Sequence, residues 1–241
     1  MEESNHRQGI GRVPSGDLIR DERGVILLMT VILLVMLLVL AGIGADLARW
    51  YVANEQNQTA VDAASLAGAL SGERYVTIEV QYAHTEKRCS TRADGTKRCR
   101  TVCISDPPVT RTGKEKTLVD EGGWRRGTCR DRFLGFRERW IEFPGDTESI
   151  ASAVFSYNRP QLLKSSHGGQ LDNTQFNAYD NGRYAPSVVA QSEGKLDTFL
   201  LHLIGIKNLP VGNCGQSSTF YEVISGGVNQ SRNGAPENGC P

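Results

Sequence analysis

Residues Val25–Ala45 read V-I-L-L-M-T-V-I-L-L-V-M-L-L-V-L-A-G-I-G-A, and Asp46 follows at once. Wound as a helix at about 1.5 Å per residue, this run measures roughly 31 Å, the thickness of a bilayer's hydrocarbon core. Thr30 is its one polar side chain, and a threonine hydroxyl in a helix can bond back to the preceding turn. The run exceeds the apolar part of a cleaved signal peptide. A cut after Ala45 would put Ile43 at a position that wants a small residue, so a retained anchor is expected. Arg7, Arg12, Arg20 and Arg23 precede the run, and Arg49 is the only cation after it before Arg74. That asymmetry predicts a cytoplasmic N-terminus and a larger part outside the membrane.

Working outward, residues 46–70 read D-L-A-R-W-Y-V-A-N-E-Q-N-Q-T-A-V-D-A-A-S-L-A-G-A-L. The segment has no proline, Gly68 lies near its end, and Ser71-Gly72 supplies a stop, so the helix is predicted to continue to Leu70. Val25–Leu70 as one rod would be roughly 69 Å long. Trp50 and Tyr51 fall where an interfacial aromatic belt belongs. Ala53, Ala60, Ala64 and Ala67, flanked by Ala63 and Gly68, form a stripe of small residues that allows close approach of another element. Two readings stand equal: the stripe packs a partner helix, or it packs the chain's own domain. Asp46 either fixes the depth of the rod or pairs with a partner. The simpler reading places it in the headgroup layer, in contact with water.

The remainder is polar. In 241 residues Lys+Arg and Asp+Glu are both 27 and 39% are hydrophobic, with 26 glycines. A balanced charge gives no global pull toward nucleic acid. All six cysteines, Cys89, Cys99, Cys103, Cys129, Cys214 and Cys240, follow the anchor, as disulfides in an oxidising compartment would. Tyr75–Tyr82 alternates as a strand. Ala93-Asp94-Gly95 reads as a three-residue hairpin loop with Gly95 left-handed. That register sets Cys89 opposite Cys99 for a cross-hairpin disulfide and puts Tyr82, Val102 and Ile104 on one face. A zinc site using Cys99 and Cys103 lacks a second cysteine pair and a histidine pair.

Residues 107–140 are charged and aperiodic. Their arginines interleave with Trp124 and Trp140 but are diluted by Asp120, Glu121, Asp131 and Glu138. A solvated loop or a surface for an acidic partner is expected there, not nucleic-acid binding. Ile150–Tyr157 has strand character, residues 164–186 read as turns, and Lys195–Ile206 as a short amphipathic segment with Leu196, Phe199, Leu200 and Leu203 at helical spacing. Leu209–Val211 and Phe220–Ile224 read as closing strands, with a Cys214–Cys240 bond tying down the tail. Residues 1–20 read as a disordered tail.

For chemistry, His6 lies on the wrong side of the anchor, and His84, His167 and His202 are scattered. The sequence has no H-E-x-x-H, G-x-S-x-G or phosphate-binding loop, so no enzyme, metal or cofactor is expected. Asn57-Gln58-Thr59 and Asn229-Gln230-Ser231 match the glycosylation pattern.

The joint pattern from Arg23-Gly24 to Leu70 resembles the N-terminal segment of the TadE/TadG-like Flp pilus-assembly proteins. Arg23-Gly24 is similar to the family's basic-plus-glycine collar, and Asp46, Arg49, Tyr51, Gln56, Ala60, Asp62, Ala63, Ala64, Ala67, Gly68 and Ala69 stand at matching places. Asp197–Ile206, D-T-F-L-L-H-L-I-G-I, is similar to a phenylalanine-and-glycine segment before the last strand in many members. The resemblance implies a non-enzymatic, inner-membrane-anchored component of the tight-adherence pilus machine. Cleaved members carry glutamate five residues after the cut glycine. Met29 stands there after Gly24, which fits the uncleaved TadG type, although the chain lacks the von Willebrand-type domain of large TadG members.

The expected fold is α+β: an N-terminal transmembrane helix extended into a long pilin-like helix, then a small, disulfide-bonded, loop-rich domain. The expected divisions are a cytoplasmic tail (1–20), the TadE/G-like helix (21–72) and an extracytoplasmic α+β domain (73–241). Helix packing through Gly24, Asp46, Arg49, Tyr51, Ala60, Asp62, Ala64, Ala67 and Gly68 would join it to the bilayer, to pilus-assembly proteins or pilin subunits, and to copies of itself. The competing reading is a tethered periplasmic binding or adhesin module without a pilus role.

Overall fold

Glu22–Leu70 forms one continuous helix, α1, of 49 residues in the computed structural model, which describes residues 22–127, 129–179, 185–219 and 239–240. The expected tail at 1–20, the strand at Phe220–Ile224 and the Asn229 glycosylation triplet lie outside the described residues. A helix closes its backbone hydrogen bonds within itself, which an apolar solvent requires. Thr30 follows that rule, its hydroxyl donating to the Ile26 carbonyl at 2.8 Å. The stretch is long and apolar enough to cross a membrane, with a mean hydropathy of 3.2 in its most apolar window and none of that window buried.

The chain divides into two compact units within α1. One takes α1 up to Arg49 together with Thr198–Lys207, and the other takes Trp50–Asp197 and the strand from Asn208. The second unit contains eight described strands and a second helix. β1 (Glu73–Gln81) lies between β4 (Val109–Lys114) and β5 (Arg132–Glu142) in an antiparallel sheet. Its alternation buries Val76, Ile78 and Val80 against Tyr82, Leu118 and Trp124. Among the described residues, β2 (Ala83–Thr91) and β3 (Lys97–Ser105) pair only with each other. Cys89 sits opposite Cys99 and is bonded to it. Gly95 turns the hairpin at φ 83°, a backbone state that glycine adopts without steric penalty. Cys103–Cys129 and Cys214–Cys240 complete three disulfides.

The third sheet orders β6 (Gly169–Tyr179), β7 (Ser187–Asp197) and β8 (Asn208–Ser218), all antiparallel. Residues 50–70 of α1 and α2 (Thr147–Tyr157) pack on it. Ala60, Val61, Ala64, Phe155 and Ala190 form one buried cluster, and Ala53, Leu163, Leu196 and Val211 another.

Four expectations change. Ile150–Tyr157 is helical, because burial recurs every four residues at Thr147, Ala151 and Phe155, the repeat of a helix face. Residues 107–140 hold β4, a π-helical turn at Lys116–Asp120, and β5. β4 is an exposed edge, and two register shifts along β5 break its alternation. The turn-rich stretch contains β6, whose Asn173, Gln175 and Asn177 alternate with Thr174, Phe176 and Ala178 along the strand. Lys195–Ile206 is the end of β7 followed by a short 3₁₀ turn at Leu201–Ile204, so Leu196 is sheet core while Leu203 is exposed.

The 26-residue separation closed by Cys214–Cys240 sets the scale of its contribution. A loop of that length constrains the unfolded chain by about 3 kcal/mol. Replacing both cysteines with serine is expected to lower the unfolding free energy by that amount and to steepen its dependence on urea, because the released chain expands further on unfolding, read by equilibrium denaturation.

Candidate functional site: a carboxylate clasp on the anchor helix

Asp46 sits one turn beyond Gly42 on α1, and both are buried although the helix around them is largely exposed. Their cover is the Thr198–Lys207 loop. The Asp46 carboxylate accepts the backbone N–H groups of Phe199 at 3.1 Å, Leu200 at 2.8 Å and Leu201 at 2.9 Å. Those are the donors that the start of a 3₁₀ turn leaves without partners inside the turn. Arg49, one turn further on, lays its guanidinium 4.4 Å from the centre of the Phe199 ring. Leu200 packs directly on Gly42, where a β-carbon would collide with it. The loop closes on itself: Thr198 N–H donates to Lys207 O at 3.0 Å, and the Thr198 hydroxyl donates to the Ile206 carbonyl. Gly205 reverses the chain at φ 92°.

The simpler sequence reading of Asp46, an acid in contact with water, is therefore corrected: it is 3% exposed. Its partner lies more than 150 residues away in sequence. The one hint was the similarity of Asp197–Ile206 to a family segment, which gave no indication that the two stretches meet.

The other candidate residues fall elsewhere. Gly24 is exposed, with nothing near its α-carbon. Tyr51 is exposed on α1. Ala60 and Ala64 are fully buried against the chain's own third sheet, and Gly68 lies under Val188 and Ala151. Ala67 is half-buried. Asp62 is exposed and accepts a bond from Gln58 at 2.9 Å. Of the two readings of the small-residue stripe, the structure shows packing within the chain. Asn57 is fully buried, its amide donating to Ser192 O, so Asn57 offers no acceptor for a glycan in the folded chain.

The β2–β3 hairpin presents a second feature that sequence reading passed over. Arg88 and Arg100 face each other directly across the strands, an arrangement that destabilises a ladder. The adjacent Cys89–Cys99 bond staples it. With Arg92 and Arg98 they line an open hollow. At the base of the hairpin, His84 lies 2.8 Å from Asp106. Among the described residues, no three His, Cys, Asp or Glu side chains converge as a metal site.

Asp131 fixes the turn that precedes β5. The N–H groups of Gly127, at 2.9 Å, and Arg126, at 2.7 Å, hold its carboxyl below the usual aspartate range, with Gly127 the larger cause. A carboxyl depressed on folding stabilises at pH above its unfolded value of about 3.9, and that contribution is lost as pH falls through the lower folded value. The contact of Asp131 with the Arg126 and Gly127 N–H groups is expected to open in acid, read as a shift of the Trp124 indole resonance, and Asp131→Asn should abolish that acid transition.

The fold and the clasp define a class of protein: an N-terminal apolar helix, suited to anchoring in a membrane, that carries a three-disulfide α+β domain. Within that class, residues 24–71 match the family model Tad, described as putative Flp pilus-assembly TadE/G-like. The match ends where β1 is about to begin. No curated protein and no solved structure matches the chain.

Proposed function

We propose that this protein is a non-enzymatic, membrane-anchored component of Flp, or tight-adherence, pilus assembly. The carrying observation is the TadE/G-like match over 24–71, which coincides with a helix apolar enough to span a bilayer. The arginine asymmetry and the disulfides support a cytoplasmic N-terminus and an oxidising outer compartment for the α+β domain. The stapled basic hairpin gives that domain a cationic surface toward an acidic subunit, which would speed encounter more than strengthen binding.

Affinity purification of the full chain from its native membrane in mild detergent tests the reading. Pilus components are expected in the eluate, and fewer of them after Arg88→Glu with Arg100→Glu. Recovery of a lone monomer would overturn it, as would a coding locus without a pilus ATPase and secretin beside it.

A further inference from the structure

We infer that the Thr198–Lys207 loop is a second membrane contact, laying its apolar side chains into the outer edge of the bilayer beside the α1 anchor. The inference rests on the reading of Val25–Ala45 as a membrane span.

Three observations lead to it. The first is what the loop exposes: Phe199 is 69% exposed, Leu203 75% and Ile204 64%, with Ile206 also open. The loop's own packing uses Leu200 and Leu201, and Arg49 lies over the Phe199 ring, yet most of the surface of Phe199, Leu203 and Ile204 stays open. The second is where the loop sits. It is fastened to α1 at Gly42 and Asp46, and Gly42 lies inside the apolar run. Four helical residues rise about 6 Å, so Leu200 touches the anchor roughly that far inward of Asp46. The apolar surface of the loop is therefore continuous with that of the span.

The third is how its polar groups are covered. Irregular backbone is excluded from an apolar medium unless its donors are paired. The donors at the start of the turn are paired by Asp46, and Thr198 and Leu201 close the other end against Lys207 and Ile206. Asp46 itself, an acid at the edge of a span, is made tolerable there by those same three N–H groups and by Arg49 nearby. The Asp46 charge and the donors it pairs are satisfied within the clasp, and the loop's exposed side chains are apolar apart from His202 in the turn and Lys207 at its end. Lys207 stands where the chain returns to β8 and marks the water side. An apolar rim with a cation behind it suits the boundary between headgroups and acyl chains.

The test uses the full chain reconstituted in phosphatidylcholine vesicles that contain a lipid with a diazirine in its acyl chain. After illumination, labelled peptides are mapped by mass spectrometry. Label is expected on peptides from Val25–Ala45 and also on the peptide carrying Phe199–Ile206. In the Leu203→Asp, Ile204→Asp variant, whose altered side chains are exposed and leave the fold intact, only the loop label should disappear. Label on the anchor but not on the loop overturns the inference and leaves the span standing. Absence of label from both removes the span and the inference together. Photo-leucine at position 203 that cross-links the loop to a second copy, in place of lipid, also overturns it.

Discussion

Asp46→Ala is expected to release the Thr198–Lys207 loop from α1. The substitution deletes the shared acceptor of three backbone N–H groups, those of Phe199, Leu200 and Leu201. A buried donor left without a partner costs roughly 1–3 kcal/mol, and more where the lost acceptor was charged. The bond from Leu201 is buried and those from Phe199 and Leu200 are part-buried, which places the total near 3 kcal/mol for loop docking. In hydrogen exchange followed by mass spectrometry, the amides of 199–201 should exchange on the order of 100-fold faster, since about 1.4 kcal/mol is a factor of ten. Asp46→Asn keeps one acceptor oxygen and should fall between wild type and alanine. Asp62→Ala is the control: its carboxylate is exposed and meets Gln58 on the same helix, so its effect should stay within about 0.5 kcal/mol. Unchanged exchange at 199–201 in Asp46→Ala would show that packing at Gly42, not the carboxylate, holds the loop.

The clasp also marks how far the sequence could be read. The first helix was legible because an apolar run of that length without a helix breaker favours one continuous helix. β1 was legible because Val76, Ile78 and Val80 alternate on one buried face, and the hairpin because Asp94-Gly95 fixes its turn. What failed shares a cause: the deciding contact was not local. Phe155 and Ala151 read as strand residues by propensity, but α1 and the third sheet offered them a helix-sized groove. β6 read as turns because Asn173 and Asn177 favour turns in isolation, yet pairing with β7 over ten positions overrode them. β5 lost its alternation to two bulges that no single-strand pattern reveals. Asp46 was recognisable as an odd acid, and the loop as an odd apolar segment. Only folding shows that the unpaired donors of one answer the unpaired charge of the other.

The small-residue stripe yields the other large effect, and it separates two roles that the sequence left equal. If Ala60, Ala64 and Gly68 received a partner's helix, enlarging them would spare the isolated protein and weaken only the complex. The structure puts them instead beneath β7 and β8. Ala64 is fully buried in the cluster with Phe155 and Ala190, and a β-carbon on Gly215 of β8 would come within 2.9 Å of the Val61 carbonyl carbon and 3.0 Å of the Asp62 nitrogen. Those are backbone atoms of a helix, which cannot step aside as a flexible side chain can. Overpacking ordinarily costs about 1–3 kcal/mol, with the upper end where no rotamer relieves it. Ala64→Leu and Gly215→Val are each expected to cost about 3 kcal/mol and lower Tm by roughly 10 °C for a domain of this size, read by circular dichroism of the detergent-solubilised chain. A partner surface, by this argument, must use the face that the packing leaves open, where Val52, Leu66 and Leu70 are exposed. Changing those three to serine should leave Tm nearly unchanged while reducing recovery of pilus components. The opposite pattern, a stable Ala64→Leu that no longer recovers them, would return the stripe to the partner.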